Sequence, residues 1–443
     1  MNSEVEASSP RITDVLALGF GTSLAMWFAG YLCRLPFISL PAWLAAILML
    51  ACLIAGGYYA GRFSRRGWTA GMLSGLVASI INLLILGSLL SGNRPGSILP
   101  SALIWLPGSL LAGTALGALG GACGAAARRT AVGEGRAPAV NWLGSFALVT
   151  AGASLLLIAA GGLVTSEEAG LAVVDWPNSF GYNMFLYPLS RMTGGIYFEH
   201  AHRLLGSLTG LTGLALALLL QFAAQPRAVK LLGWCAFALV CIQGVLGGLR
   251  VTGTLTLSDS PAAMSPSTLL ATVHGVVGQL VFALLVALVA LVSTRYRHSA
   301  GTADKAARTM QLLGAWLVAS IVLQVVLGAV LRHYDWGLHL HIAVACVVVA
   351  MALIVGLRCK RNYKEQPVLV QKGGAMMHLA VTQLALGIVA IGAMVLAGEG
   401  PRPPLLEVLI VTAHQTVGAL VLAYALTLTL WLRRLLRPVA VST

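Results

Sequence analysis

Long apolar stretches follow one another along almost the whole chain, and short polar segments separate them. Each stretch has about the 20 residues that an α-helix needs to cross a bilayer. None alternates between apolar and polar residues as a half-buried strand would, so helices are the expected form. The pattern predicts twelve membrane-spanning helices, at residues 12–33, 39–61, 68–91, 101–126, 142–164, 198–222, 229–250, 268–293, 310–331, 337–357, 375–397 and 406–431.

The composition supports this interpretation. Of the 443 residues, 58% are hydrophobic and only 9% are charged, which is not the balance of a soluble domain. Fifty glycines suit helices that approach each other closely in lipid. The glycine-rich run at 113–124 fits the same role, because no Lys-Ser or Lys-Thr pair follows it as in a phosphate-binding loop. The expected fold class is an all-α polytopic membrane protein.

The basic residues predict the orientation. The net charge is +14, but Lys and Arg occur in short clusters between the apolar stretches, so membrane topology explains them better than nucleic acid. If the N-terminus and every second loop are cytoplasmic, that side carries 21 Lys and Arg and the other side carries 7. This bias predicts that both termini are cytoplasmic. The first residues resemble neither a signal nor a transit peptide, so we expect a multi-pass protein of a prokaryotic inner (cytoplasmic) membrane, in contact with lipid.

A charged break at 126–140, with Gly and Pro, predicts a domain boundary. We expect a four-helix N-terminal unit of unknown role over residues 1–135. An eight-helix core over 136–443 then follows.

The core repeats itself in its histidines. His202 and His341 are 139 residues apart, and His274 and His414 are 140 apart. The runs "QGVLG" at 243–247 and "QLALG" at 383–387 are also 140 apart. Two four-helix bundle repeats explain these offsets, with a first half at 142–293 and a second half at 310–434. Because each half has an even number of helices, the two repeats run parallel.

Each of these four histidines lies near the outer end of an even-numbered core helix. Histidines on facing helices of a bundle commonly hold a haem iron, so each half predicts one haem site. A single membrane histidine is more often a hydrogen-bonded packing residue, but the matched register and depth of four favour ligation.

The other five histidines are not expected to bind iron. The doublets "HAH" and "HLH" place His200 and His339 two residues before His202 and His341, on other helix faces. We expect these two to lie at headgroup level or to support the ligands. Solvated or interfacial positions are expected for the remaining three, which are His298, His333 and His378.

The outer connection at 165–197 is the longest loop of the core and is rich in aromatic residues. It fits either an aromatic belt at the membrane interface or a lid over the first-half site, and the sequence leaves both open. Its segment "DWPNSFG" at 175–181 predicts a fixed turn.

These motifs resemble the haem A synthase family (COX15/CtaA). "GGLVT…GLAVVDWP" is followed by "EHAHRLLG", and one histidine then stands at the head of each later even-numbered helix. The resemblance covers roughly residues 142–434. It implies oxidation of the C8 methyl of haem O to a formyl group, which yields haem A for terminal oxidases.

The resemblance also implies roles for individual residues and groups. Glu199, His202 and His274 fall in the substrate half, where haem O is the substrate and haem A the product. His341 and His414 fall as axial ligands of a haem b that relays electrons. Arginine at the outer interface can pair with haem propionates, and the candidates are Arg203 and Arg332, with snorkelling to headgroups as the alternative for Arg203. Implied partners are the haem O synthase that supplies the substrate and the terminal oxidase; the electron donor and a homo-oligomer stay open.

The chain also departs from the family. Many members carry a cysteine pair in the first outer loop, whereas 165–197 has no cysteine, which excludes a disulfide step in this loop. Two other functions compete with the enzyme. One is a di-haem b membrane cytochrome that passes electrons without modifying haem, and the other is a haem-free transporter built on the parallel repeat. Glu199 favours the enzyme, because a bis-histidine electron carrier needs no carboxylate there.

Overall fold

A computed structural model describes residues 12–92, 94–132, 139–252, 267–398 and 403–439. The predicted fold class is confirmed: the described chain is an all-α polytopic membrane protein with twelve helices long and apolar enough to cross a membrane. These helices are α1 Thr13–Cys33, α2 Ala42–Phe63, α3 Trp68–Leu90, α4 Ala102–Val132, α5 Trp142–Ser166, α6 Gly194–Phe222, α7 Arg227–Thr252, α8 Thr268–Val292, α9 Ala307–Tyr334, α10 Leu338–Asn362, α11 Pro367–Ala397 and α12 Leu405–Leu435.

Several helices are longer than their apolar stretches. Helices α4, α11 and α12 each have 31 residues, and α4 and α12 continue into basic residues at their C-terminal ends. A helix satisfies its own backbone hydrogen bonds, so it can leave the hydrocarbon layer without interruption. The hydropathy pattern therefore predicts the apolar part of each helix but not the residue at which the helix ends.

The described residues divide into two compact units. The first comprises Met1–Ala160 and Ala169–Phe237, and the second comprises Gly161–Glu168 and Ala238–Thr443. The predicted domain boundary between residues 135 and 136 lies outside the described residues, so that division remains a prediction.

Close glycine contacts join α2, α3 and α4 in the first unit. A Cβ added at Gly57 or Gly71 would collide with the carbonyl oxygen of Gly117, and one at Gly61 would collide with that of Gly121. Only helices without side chains at these positions can approach so closely. The glycine-rich run at 113–124 therefore serves helix packing, as predicted.

Helices α9 to α12 of the second unit form a closed four-helix bundle. Each packs against the next, α12 packs back against α9, and α8 packs against α9 and α12. Asp335 (φ 51°) and Gly337 (φ 90°) adopt left-handed conformations between α9 and α10. This turn places His341 in the first turn of α10, where its backbone N–H donates to the Gly337 carbonyl over 2.8 Å.

The described strands are short. In the outer connection, β1 Asn178–Ser179 pairs antiparallel with β2 Tyr182–Asn183. Strand β3 Thr302–Asp304, before α9, pairs in parallel with β4 Leu436–Pro438, after α12. A five-residue helix, Thr294–His298, precedes β3.

Candidate active site and haem-binding residues

Glu199 and Arg203 form a buried ion pair on α6. They are four residues apart, so they share one face of the helix, and Arg203 Nε donates to Glu199 Oε1 over 3.1 Å. Glu199 is 6% exposed, and the Arg203 side chain is 7% exposed. The guanidinium therefore compensates the buried carboxylate, which is the condition under which a charge is tolerated there.

Arg203 also binds the backbone of the outer connection. Its Nη1 donates to the carbonyl oxygens of Asp175 (2.6 Å) and Asn178 (3.0 Å), and its Nη2 donates to that of Val173 (2.7 Å). The snorkelling alternative is wrong for this residue, because the guanidinium is buried among these carbonyls. Its assignment to a haem propionate stays a prediction, and the bonds to the loop compete with that role.

The segment "DWPNSFG" is a fixed turn, as predicted. Phe180 (φ 52°) and Gly181 (φ 76°) connect β1 to β2, and positive φ at both positions is the signature of a type I′ hairpin turn. The Asp175 carboxylate accepts hydrogen bonds from the Phe180 N–H (2.6 Å) and the Gly181 N–H (2.8 Å). The aspartate thus holds the turn that a Phe-Gly pair alone would favour weakly.

His200 is enclosed by protein on α6, and its depth relative to the headgroups stays a prediction. Its side chain is fully buried, and its Nδ1 lies 3.0 Å from the Ser179 hydroxyl. The ring also lies 5.0 Å from that of Tyr187, between centroids. Burial raises the pKa of Tyr187, so this phenol stays neutral where it packs. His200 therefore connects α6 to the outer connection.

The aromatic residues of this connection divide between its two sides. Tyr182 and Tyr187 are buried, whereas Trp176 and Phe180 are 38% and 40% exposed. The buried tyrosines do what a lid would do, and the exposed pair suits an interfacial belt. The choice between a lid and an interfacial belt stays a prediction.

The remaining predicted first-half histidines occupy the expected helix positions. His202 lies on α6 in the first unit, one turn beyond Glu199, and is partly exposed. His274 lies in the second turn of α8 in the second unit, also partly exposed. Their pairing on one iron stays a prediction.

In the second half, the structure brings His341 and His414 together. Their ring centroids are 6.4 Å apart with an interplanar angle of 67°. Two imidazoles on opposite sides of one iron, each with a nitrogen about 2 Å from the metal, would have centroids roughly 6 Å apart. The observed separation fits that arrangement.

Glutamine and glycine from the preceding helix surround each of these two rings. Gln324 Nε2 donates to the His341 backbone carbonyl over 3.0 Å, and Gln383 Nε2 does the same for His414 over 3.0 Å. A Cβ added at Gly328 would lie 3.1 Å from His341 Cε1, and one at Gly387 would lie 3.0 Å from His414 Cε1. The glutamine fixes the helix that carries the histidine, and the glycine makes room for the ring.

His274 has the same surroundings. Gln243 Nε2 donates to its backbone carbonyl over 2.7 Å, and a Cβ at Gly247 would lie 3.4 Å from its Cε1. The sequence comparison matched "QGVLG" with "QLALG" but missed "QVVLG" at 324–328, which does the same for His341. In this third run the glutamine precedes its histidine by 17 residues, whereas in the other two it does so by 31. A search for Gln-x-x-x-Gly before each histidine, at either distance, would have found all three.

Unpaired polar atoms indicate that this region receives a further group. Among the described residues, the Oε1 atoms of Gln243, Gln324 and Gln383 are buried without a hydrogen-bond partner, and so is Nδ1 of His414. Buried polar atoms are normally paired, so several orphans beside the histidines suggest a missing ligand or water. The described residues contain no group of three or more His, Cys, Asp and Glu that could hold a bare metal ion. A histidine pair is nevertheless sufficient for haem, whose macrocycle supplies the other four nitrogen ligands, so these residues fit a haem.

Arg332 lies beside a small pocket near the C-terminal end of α9. Its Nη2 donates to the Thr165 carbonyl over 2.8 Å, and it lines the pocket with Ser166, Glu407 and Val408. Thr412, on the same helix as His414, donates its hydroxyl to Ser166 Oγ over 3.3 Å. The predicted propionate contact of Arg332 remains a prediction. Glu407, an acidic neighbour that the sequence analysis did not single out, lines the same pocket.

Residues 144–343 match the family model of COX15-CtaA, which is described as cytochrome oxidase assembly protein. The predicted resemblance to the COX15-CtaA family is confirmed over these residues. The match spans α5 to the first turn of α10 and is just under half of the chain. Every predicted site residue except His414 lies in this COX15-CtaA segment, so the role of His414 depends on the repeat and on its position beside His341. No curated protein matches the chain.

Proposed function

We propose that the protein is a haem A synthase, which oxidises the C8 methyl of haem O to the formyl group of haem A. The observation that carries the proposal is the His341–His414 pair, whose ring centroids are 6.4 Å apart. The COX15-CtaA segment of the same chain also holds the buried Glu199–Arg203 pair on α6. The histidine pair alone would suit any b-type cytochrome. The buried carboxylate is the feature that a passive electron carrier does not need.

The second half would hold haem b. His341 and His414 would hold it, while Gln324 and Gln383 orient their helices and Gly328 and Gly387 leave space for the rings. Bound there, haem b supplies a one-electron relay. Arg332 is the candidate partner for a propionate, because an arginine fork binds carboxylates bidentately.

The first half would hold the substrate. His202 and His274 are the proposed ligands of the haem O iron. The Glu199 carboxylate, paired with Arg203 on α6, could stabilise positive charge or accept a proton as the methyl group is oxidised. Arg203 holds that carboxylate and the outer connection in register, which limits the access of water. Conversion of a methyl to a formyl group removes four electrons, so an external oxidant and an oxygen source are required.

The proposal also includes location and partners. We place the protein in a prokaryotic inner membrane with both termini in the cytoplasm, because 21 of its 28 Lys and Arg residues then face that side. The histidines would lie near the outer face. A haem O synthase would supply the substrate, and a terminal oxidase would receive the product.

Analysis of bound and released porphyrins tests the proposal. The full-length protein is purified from cells that co-produce haem O, and its pigments are identified by pyridine haemochrome spectra and mass spectrometry. We expect haem A, or haem O hydroxylated at C8, together with haem B. Haem B alone, with haem O present in the membrane, would show instead that the protein is a di-haem b cytochrome, and a protein without a Soret band would point to the haem-free transporter.

A further inference from the structure

Two of the four N-terminal helices, α1 and α3, contact the loop that covers the charged face of α6. We propose that α1 and α3 are a brace that holds the outer loop, defined here as residues 169–193, against α6 above Glu199 and Arg203. This assigns a positioning role to two N-terminal helices that lie outside the COX15-CtaA segment. Its effect on product formation rests on the proposed function, whereas its effect on the loop does not.

The end of α1 contacts the start of α6. The Tyr197 hydroxyl donates to the Tyr31 carbonyl over 2.6 Å, and the two rings stack at 5.7 Å with an interplanar angle of 18°. Beyond the end of α1, Phe37 stacks on Phe198 with 6.5 Å between the ring centroids. Tyr197 and Phe198 directly precede Glu199, so these contacts fix the turn of α6 that carries the carboxylate.

An arginine from α1's C-terminal cap binds the outer loop directly. Arg34 Nη2 donates to the carbonyl oxygen of Leu189 over 3.2 Å. Leu189 begins the single 3₁₀ turn Leu189–Arg191, and its carbonyl also accepts from the Met192 N–H. A charged donor on such a carbonyl makes a stronger bond than a neutral one, and it ties this turn to α1.

Helix α3 supports the other 3₁₀ turn of the loop, Met184–Leu186. The Ser88 hydroxyl lies 3.4 Å from the Phe185 carbonyl, to which it donates. A Cβ added at Gly87 would lie 2.5 Å from the same oxygen and 3.1 Å from Leu186 Cδ2. The loop therefore lies directly on the backbone of α3, and only glycine at position 87 allows this approach.

The other side of the loop is attached to α6. Arg203 binds the carbonyls of Val173 and Asp175, and His200 contacts Ser179. The loop is thus held between α6 and the ends of α1 and α3. It contains no cysteine, and all seven cysteines of the chain are free, so non-covalent contacts alone hold it in place.

Hydrogen exchange on the full-length protein in lipid nanodiscs tests the brace. Gly87→Ala and Arg34→Gln are compared with Gly108→Ala on α4, where an added Cβ meets nothing within 4 Å. The reporters are the amides of Arg191 and Met192, which donate to Pro188 and Leu189 inside the second 3₁₀ turn. We expect amide exchange over 184–192 to be roughly tenfold faster than in the wild type in both brace variants, because local opening sets the exchange rate. The control variant should exchange at the wild-type rate.

Haem A output of the same variants provides a second readout. If the loop exchanges at the wild-type rate in Gly87→Ala combined with Arg34→Gln, while the helices stay protected, the brace is wrong even when wild-type protein makes haem A. If the loop loosens but wild-type protein makes no haem A, the brace stands and the proposed enzyme does not. With both proposals correct, loosening of the loop and loss of haem A occur together, and Gly108→Ala changes neither.

Discussion

The charged face of α6 and the histidine pair of α10 and α12 differ in how they keep polar groups in a membrane protein. On α6, Glu199 and Arg203 compensate each other, and a long loop with its own hairpin covers them. Around His341 and His414, neutral glutamines and glycines of the preceding helices position the rings. A charge needs a partner and a cover, whereas a neutral ligand needs only a fixed backbone and space.

The difference suggests a division of labour. A buried carboxylate near a reacting group can serve proton transfer or charge stabilisation, which an electron relay does not require. Neutral residues that fix the two rings would suit a haem that serves only as an electron relay. The following predictions test this contrast, from the largest expected effect to the smallest.

Removal of either ligand should empty the second-half site. In His341→Ala and His414→Ala, we expect complete loss of the low-spin haem b signal in electron paramagnetic resonance and optical spectra, because one imidazole cannot hold a six-coordinate iron. His378→Ala is the control, since His378 is exposed at the inner part of α11 and bonds only the Gly374 carbonyl of its own helix. A low-spin signal that survives in both ligand variants would place the haem elsewhere.

Neutralising the carboxylate on α6 should stop the chemistry and leave the relay intact. We expect Glu199→Gln to lower haem A output roughly 100-fold, because a positioned acid or base contributes about that much or more. The low-spin haem b spectrum should not change. Glu199→Ala should have the same phenotype, and the glutamine variant avoids leaving Arg203 beside a cavity.

Glu168→Gln is the matched control for that experiment, because Glu168 is an exposed carboxylate just before the outer loop. Its haem A output should equal that of the wild type. Wild-type output from Glu199→Gln would remove the carboxylate from the mechanism and favour the di-haem cytochrome.

Loss of a supporting glutamine should weaken haem binding without abolishing it. In Gln383→Leu, the His414 carbonyl loses its donor, and we expect a roughly tenfold loss of haem b affinity, as for other groups that orient a metal ligand. Heme-transfer titration to apomyoglobin measures the affinity. Gln311→Leu is the control. Gln311 lies near the start of α9 and donates to the Leu436 carbonyl of β4. Equal affinity in both variants would mean that Gln383 has no part in holding the ligand.

The smallest effect is expected from the glycines beside the rings. An added methyl group at Gly387 would lie 3.0 Å from His414 Cε1, so the ring must shift by a few tenths of an ångström. We expect Gly387→Ala to change the g-values of the low-spin haem and to lower its affinity about threefold. Gly392→Ala on the same helix meets nothing within 4 Å and should leave both unchanged. Identical spectra in the two variants would show that the glycine does not shape the site.

Much of the architecture follows from the sequence. Twelve apolar stretches define twelve helices because a backbone in lipid must satisfy its own hydrogen bonds, which leaves few alternatives to a helix. The offsets of 139 and 140 residues also matched His341 with His202 and His414 with His274, and the fold then brings the ring centroids of His341 and His414 within 6.4 Å of each other. Periodicity along the chain is a local property, and the sequence records it directly.

Contacts between distant segments depended on the tertiary structure. The sequence left His200 either at headgroup level or in support of the ligands, and it did not show that the fold buries this residue against Ser179. It offered Arg203 to a haem propionate or to lipid headgroups, whereas the fold directs the guanidinium to three loop carbonyls. Likewise, nothing in "LGSLL" at 86–90 shows that Gly87 lies under Phe185, nearly one hundred residues later. Hydropathy determines which segments enter the membrane, whereas partners for buried polar groups are decided only when the helices pack.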